Sequence, residues 1–264
     1  MAVKCERPKL SDLGLTTNDS SVFYCTQWTT WPWVHYPFVL YRIVIALYML
    51  GMLLATTIGQ IQQIGGQTFL YLTNLALIVV AVYLLVGAFI AWLDGVILRS
   101  RNHEVMGIRH RIHWFLFSIT ININLIVTIV YWSLLYSPSY NGPSFFDFNV
   151  HATPAIISTL DLFVTAIPVR LLHFVYPLVF GIAYVVMTVI FWAAGGRTAY
   201  GPIYPILDYT NDPGLAAGVI CGVMVLCLVL QGALWCLYKL RMWVWMKCRE
   251  GFDNEELNII EAVL

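Results

Sequence analysis

The sequence predicts an all-α integral membrane protein, a single bundle of six transmembrane helices with both termini cytoplasmic. Three observations predict it. Of 264 residues, 60% are hydrophobic and 11% charged, against about 25% charged in a soluble domain. The apolar residues gather into stretches of the length that crosses a bilayer core, about 20 helical residues for about 30 Å. The basic residues fall almost wholly on one side of the thread that those stretches make. With 14 Lys+Arg against 14 Asp+Glu, no net charge attracts nucleic acid, and the apolar content excludes a disordered chain. The alternating segments of a transmembrane β-barrel are absent from the sequence.

The six stretches are 38–58, 69–93, 112–136, 151–171, 173–194 and 214–238. The run from Val150 to Ala194 is too long for one crossing and holds Arg170 and His173 at its middle. A charge at the bilayer centre is expensive, so a tight helical hairpin is expected at Arg170–His173, flanked by Pro168 and Pro177. This divides the chain into a cytoplasmic tail with a Trp-rich interfacial segment (1–37), a membrane domain (38–238) and a second cytoplasmic tail (239–264). The side shared by the termini, residues 94–111 and the 170–173 turn holds Lys4, Arg7, Lys9, Arg42, Arg99, Arg101, Arg109, Arg111, Arg170, Lys239, Arg241, Lys247 and Arg249. The other side has Arg197 alone, a strong positive-inside bias. On that topology the Asn18-Asp19-Ser20 sequon stays unglycosylated. The ten tryptophans fall in the tails or near span ends, as interface anchors do. Gly181 and the repeat Gly214, Gly218, Gly222 suggest close helix packing inside the bundle.

Cys221, Cys227 and Cys236 share one apolar run, the other three cysteines lie in the tails, and no CxxC spacing occurs. Neither a disulfide framework nor structural zinc is expected. His110-x-x-His113 with His103 and Glu104 reads as a solvated basic loop end rather than a metal cluster. Haem between His113 and His173 would want a second histidine layer that His151 cannot supply alone. No metal or cofactor is expected.

Polar residues inside the spans are few: Thr73 and Asn74, Asn122 and Asn124, and Asp161, with His151 at the mouth of span four. Thr73 lies about 6 Å into span two at 1.5 Å per residue, so it and His151 share a shallow level on the non-cytoplasmic side. Thr153 and Pro154 suit a helix cap and first turn, which sets His151 just before a helix N-terminus and favours a neutral ring fit to act as a base. Asp161 is about 15 Å further along the helix, too far to orient His151. It is expected to be protonated, or paired with Asn122 or Asn124, and Asp161→Asn is expected to be tolerated. Asn122 and Asn124, two apart, cannot share one helix face, and interhelical hydrogen bonding is their bland role.

The stretch His151-Ala-Thr-Pro-Ala-Ile-Ile-Ser-Thr-Leu-Asp161, followed by Ala166-Ile-Pro-Val-Arg170-Leu-Leu-His173, resembles the rolling stone proteins, as do Phe191-Trp-Ala-Ala-Gly-Gly196 and Ile203-Tyr-Pro-Ile-Leu-Asp208. These are multi-pass membrane proteins tied to myoblast fusion in flies. Gly65-Gly66 with Leu72-Thr73, His151 with Asp161, and Tyr204-Pro205 with Asp208 are similar to motifs of the androgen-induced and androgen-dependent membrane proteins. Those hydrolyse fatty-acid esters of hydroxy fatty acids with a threonine nucleophile and a histidine. The resemblance implies Thr73 as nucleophile and His151 as base, with Asn74, Asn122, Asn124, Asp161 and Asp208 as supporting polar groups. It implies membrane lipid and a lipid ester as partners, in the plasma membrane or endoplasmic reticulum. Oligomeric state is left open. Two readings stand: a threonine-dependent lipid ester hydrolase, and a non-enzymatic protein of cell–cell fusion or adhesion.

Overall fold

The structure, a computed structural model, describes residues 9–28, 34–98, 106–137, 144–198 and 200–263, the side chains of 250–263 excepted. Lys4, Cys5, Arg7, Arg99, Arg101, His103 and Glu104 lie outside the described residues. Seven helices follow one another: α1 His35–Ile64, α2 Leu72–Trp92, α3 Ile108–Val130, α4 Phe145–His151, α5 Thr153–Val164, α6 Val175–Ala193 and α7 Pro213–Val263. Helix α1 stops at Gly65, whose φ of 60° a side chain would resist. Helix α4 starts on a capping box, in which the Ser144 hydroxyl accepts from Asp147 N at 3.1 Å and the Asp147 carboxylate accepts from Ser144 N at 3.2 Å. At the centre, α3 packs against α2, α5, α6 and α7.

Among the described residues, five helical segments are long and apolar enough to cross a membrane: His35–Leu70, Leu72–Ile97, Ile108–Leu135, Leu171–Ala193 and Pro213–Arg249. Their outward faces are oily. Leu40, Val44 and Leu47 of α1, Val179 and Ile190 of α6, and Val229 of α7 are all exposed, an arrangement that suits lipid and not water.

The stretch 151–171 does not form one crossing helix. Helix α5 has 12 residues, about 18 Å at the helical rise. Thr165 turns extended (φ −87°, ψ 162°), and Pro168 biases Ile167 away from helix. Arg241 of α7 then satisfies the carbonyls freed at the helix end, donating to Leu162 O at 2.5 Å, Thr165 O at 2.6 Å and Ile167 O at 3.2 Å. The expected hairpin at 170–173 is instead an extended run over 165–170 followed by one 3-10 turn, Leu171–Phe174. Pro177 sits in the first turn of α6, where its missing N–H does no harm.

Asp161 pairs with neither Asn122 nor Asn124. It is fully buried and accepts from Arg42 Nη1 at 2.8 Å, from the Tyr83 phenol, and from Tyr41 Oη at 3.3 Å. Arg42 therefore belongs to the bundle interior, not to the cytoplasmic charge count, and its guanidinium also lies 5.4 Å from the Phe38 ring centroid. The close approach that admits it is at Gly87, where a Cβ would stand 2.6 Å from His113 Nε2 and 3.1 Å from Arg42 Nη1. The glycines singled out for packing do no such work: around Gly181, Gly218 and Gly222 nothing lies within 4 Å of a would-be Cβ.

The start of α3 at Arg109 and His110 is likewise not a solvated basic surface. His110 is buried with its Nε2 3.1 Å from Asp94 Oδ2, and Arg109 grips the same carboxylate at 2.8 and 2.5 Å. Trp114 is not an interface anchor. It is fully buried, donates to Pro168 O at 2.9 Å and lies 4.6 Å beneath the Arg170 guanidinium. His113 stacks on Tyr83 (4.9 Å, 8°), while His173 meets Ser118 Oγ at 3.1 Å and the Trp114 ring edge-on. Neither ring faces an open slot for a porphyrin.

The N-terminal segment is built into the bundle. Phe23 is fully buried against His110 and Trp114, with ring centroids 5.4 and 5.6 Å away. Thr26 Oγ1 donates to Val164 O at 3.0 Å and Trp28 Nε1 to Phe163 O at 2.6 Å. Arg170 reaches Gly14 O and Thr16 O at 2.6 and 2.8 Å. Thr26, Gln27 and Trp28 thus cap the free end of α5.

Candidate functional site

Thr73 is the second residue of α2, directly after the extended residue Tyr71 and Leu72. The α1–α2 connection is tied by side-chain amides. Gln60 Oε1 accepts from Thr68 Oγ1 and from Asn74 Nδ2, both at 2.5 Å, and Asn74 Nδ2 also donates to Thr68 O at 2.7 Å. The two amide protons of Asn74 are spent on that tie. Asn74 thus sets the start of α2 and has no donor left for a substrate.

His151 closes α4; Ala152 separates it from α5, and Thr153, rather than capping, is the first helical residue there. The imidazole is fixed by two contacts and its backbone by a third. Nδ1 is 3.0 Å from Asp147 O. A carbonyl only accepts, so Nδ1 holds the proton and Nε2 of the neutral ring is the acceptor. Tyr131 lies flat on the ring, centroids 3.4 Å apart and planes 3° from parallel, and its phenol donates to Asp147 Oδ1 at 3.2 Å. Thr128 Oγ1 of α3 donates to His151 O at 2.5 Å. Burial pushes the Asp147 carboxyl up, but the Ser144 and Tyr131 donors outweigh it and hold the group below its ordinary range. A backbone carbonyl and a tyrosine face therefore orient the histidine, where a triad would use a carboxylate.

Thr73, Asn74 and His151 line one cavity of about 470 Å³, together with Gln60, Tyr131, Tyr200 and Tyr204. The Tyr204 phenol is turned to the Thr73 side chain and to the Leu72–Thr73 backbone, with its ring edge-on to Tyr71 at 5.6 Å. Burial raises the pKa of that phenol above its ordinary value, so it remains a proton donor at neutral pH. A second, narrow cavity of about 100 Å³ adjoins the first and shares Thr73, Tyr131, Leu135 and Tyr204 with it. Its other walls are apolar: Ile123 and Val127 of α3, Leu178 and Gly181 of α6, Val219 and Val223 of α7. The sequence places such a pocket among spans two to five; the last helix, not span four, completes it.

The remaining sequence candidates lie elsewhere. Asn122 Nδ2 ties α3 to α7 through Cys227 O at 3.2 Å and Gln231 Oε1 at 3.3 Å. Asn124 Nδ2 donates to Thr120 O of its own helix at 2.8 Å. Asp161 belongs to the Arg42 cluster. Asp208 accepts from Asn211 Nδ2 at 2.7 Å and from the Asn211 and Thr210 amides at 3.0 and 3.1 Å, which hold its carboxyl below the usual range. It lines a separate cavity of about 160 Å³ with Arg197. Two residues of the Thr73 cavity, Tyr131 and Tyr204, were not singled out by sequence reasoning. Only the Tyr204-Pro205 motif pointed to one of them.

No solved structure matches this chain. The rolling stone protein of Drosophila melanogaster is 28% identical over 244 residues, covering 88% of this chain and 87% of the relative. The family model described as "Protein rolling stone" matches residues 5–249. A multi-pass helical bundle matched over nearly its whole length to that family leaves one assignment: the chain belongs to the rolling stone family.

Proposed function

We propose that the protein is a membrane hydrolase of lipid esters, with Thr73 as nucleophile and His151 as base. The observation that carries this reading is the shared cavity: a hydroxyl, an oriented imidazole and a protonated phenol line one space that continues into an apolar groove. His151 Nε2 takes the Thr73 proton as Oγ attacks the ester carbonyl. Tyr204 takes the role of donor to the oxyanion, which Asn74 cannot fill. Collapse of the tetrahedral adduct expels the alcohol, which receives the proton from the imidazolium. Water, deprotonated by the same imidazole, then frees the fatty acid and restores the Thr73 hydroxyl. The test is covalent labelling of the protein in nanodiscs by a lipid-tailed fluorophosphonate, together with release of fatty acid from an ester. Labelling of neither Thr73 nor any other residue, with no ester turned over, would leave a non-enzymatic protein of cell fusion or adhesion.

Tyr131 is a positioning residue in this scheme. Tyr131→Phe keeps the stack on His151 and is expected to hold kcat within about twofold, because one exposed-side hydrogen bond is worth little. Tyr131→Leu removes the stack, and a misaligned base is expected to lower kcat about ten- to a hundredfold. Steady-state kinetics of the two variants checks the ordering.

The proposed topology has six crossings and cytoplasmic termini, in the plasma membrane or endoplasmic reticulum. In it, α4 and α5 stacked end to end, with the extended run over 165–170, make the fourth crossing. The distribution of Lys9, Arg109, Arg111, Arg170, Lys239, Lys247 and Arg249 against Arg197 supports the orientation. Asn18 is expected to carry no glycan when the chain is expressed in eukaryotic cells, and a shift of its mass on deglycosylation would reverse the orientation.

A further inference from the structure

We infer that the site takes esters that bear no charge near the scissile bond, with one acyl chain in the narrow groove and an uncharged alcohol portion in the wider cavity. The inference rests on the hydrolase reading for its chemistry, though not for its binding. Around the wider cavity the polar groups are those of Gln60, Gln63, Tyr71, Asn74, Tyr131, Tyr200 and Tyr204, beside Thr73 and His151, and among the described residues no Lys, Arg, Asp or Glu lines it. The groove likewise has none.

The cations that would greet an anionic head are engaged elsewhere. Arg197 lies with Asp208 on a neighbouring cavity that shares only Pro202 and Ile203 with this one, Arg42 is paired with Asp161 inside the bundle, and Arg241 caps α5. Sites that take phosphate or carboxylate supply Arg, Lys or a set of free N–H donors. Here the Asn74 amide, beside Thr73, already serves Gln60 and Thr68. A phosphate or carboxylate entering this cavity would lose water without gaining a counter-ion, and a desolvated unpaired charge is strongly disfavoured. An ester group with hydroxyls beyond it finds tyrosine and amide partners instead.

The groove sets the other half of the specificity. Its wall along α7 runs from Val219 to Cys227, about 12 Å at 1.5 Å per residue. At about 100 Å³ it takes only the carbonyl-proximal part of one hydrocarbon chain, the rest of which would run out along its open side, and it has no room for the paired chains of a diacyl phospholipid. An ester of a hydroxy fatty acid carries a free carboxylate on its alcohol portion. The cavity favours the same skeleton with that acid masked.

A matched pair tests this: the oleate ester of 2-hydroxystearic acid, whose carboxyl stands next to the scissile bond, offered as the free acid and as its methyl ester to the protein in neutral-lipid nanodiscs at mildly alkaline pH. The methyl ester is expected to show kcat/KM about tenfold or more above the free acid, reflecting the unpaired charge. Thr73→Ala protein, which turns over neither, is expected to bind the methyl ester with the same preference, read by tryptophan quenching. Gln63→Lys places a cation on the cavity wall and is expected to shrink the gap. Equal or better turnover and binding of the free acid would overturn the inference, as would binding of neither compound. Preferential binding of the methyl ester with no hydrolysis of either would uphold the inference about the site while removing the hydrolase reading.

Discussion

Arg42→Leu is expected to destabilise the fold by about 3–5 kcal/mol, the usual effect of removing one member of a buried ion pair. The reason is what it leaves behind. Asp161 is fully buried, with Arg42 Nη1 at 2.8 Å as its cationic partner, so the variant strands a carboxylate that only Tyr41 and Tyr83 still solvate. Asp161→Asn, which the sequence suggests is harmless, is expected to be nearly as damaging. It preserves size but leaves the guanidinium uncompensated beneath Phe38 and Tyr83. The double variant Arg42→Leu/Asp161→Leu removes both charges, and most of the lost stability is expected to return, because an apolar replacement of a buried pair is often neutral or better. Thermal unfolding in detergent, arranged as a double-mutant cycle, reads the coupling directly. Losses that simply add would show that the two charges do not act on each other.

Thr73→Ala and His151→Ala are each expected to abolish ester hydrolysis and fluorophosphonate labelling while the protein stays folded. Both side chains line a cavity rather than fill a core, so truncation leaves little behind to destabilise. The losses should not add in the double variant, since nucleophile and base act as one unit. Thr73→Ser keeps the hydroxyl and is expected to retain part of the activity. Tyr204→Phe is the informative intermediate case. Removal of a single oxyanion donor lowers kcat by about a hundred- to a thousandfold elsewhere, and a loss of that order with intact labelling of Thr73 would separate the donor from the nucleophile. Full activity in Thr73→Ala protein would end the scheme.

The membrane character and five of the long helices were legible because they rest on local composition and length, and 20-residue apolar runs leave little else to form. The break in the fourth stretch was less so. Pro168 announced an interruption near it, but the helix ends at Val164 because Arg241, far along the chain, supplies donors to its last carbonyls. No window of sequence contains that fact. Asp161 was visible as an oddity, and its partner was misassigned because Arg42 stood near a predicted span end and counted as a surface cation. His151 and Thr73 could be placed at similar depth from helix geometry. The flat contact of Tyr131 on His151 could not, because aromatic residues near a membrane interface are common and their facing depends on packing between helices. The glycine repeat on α7 failed for the opposite reason: spacing alone says that close approach is permitted, not that a neighbour is there.

The docking of the N-terminal segment bears on the order in which the molecule is assembled. Residues 14 to 28 leave the ribosome before any helix, yet their partners are Phe163, Val164 and Arg170. Some 135 to 156 residues separate each pair, so the tail must wait through the synthesis of α1 to α5 before it has anything to hold. Local contacts between α1 and α2 form early and cheaply, whereas this one closes a very long loop. Residues made before α1 are thus among the last to settle. Their engagement seals an end of α5 that Arg241, from the final helix, finishes still later. Until both arrive, the carbonyls at the end of α5 are open to whatever the insertion machinery or a chaperone offers them.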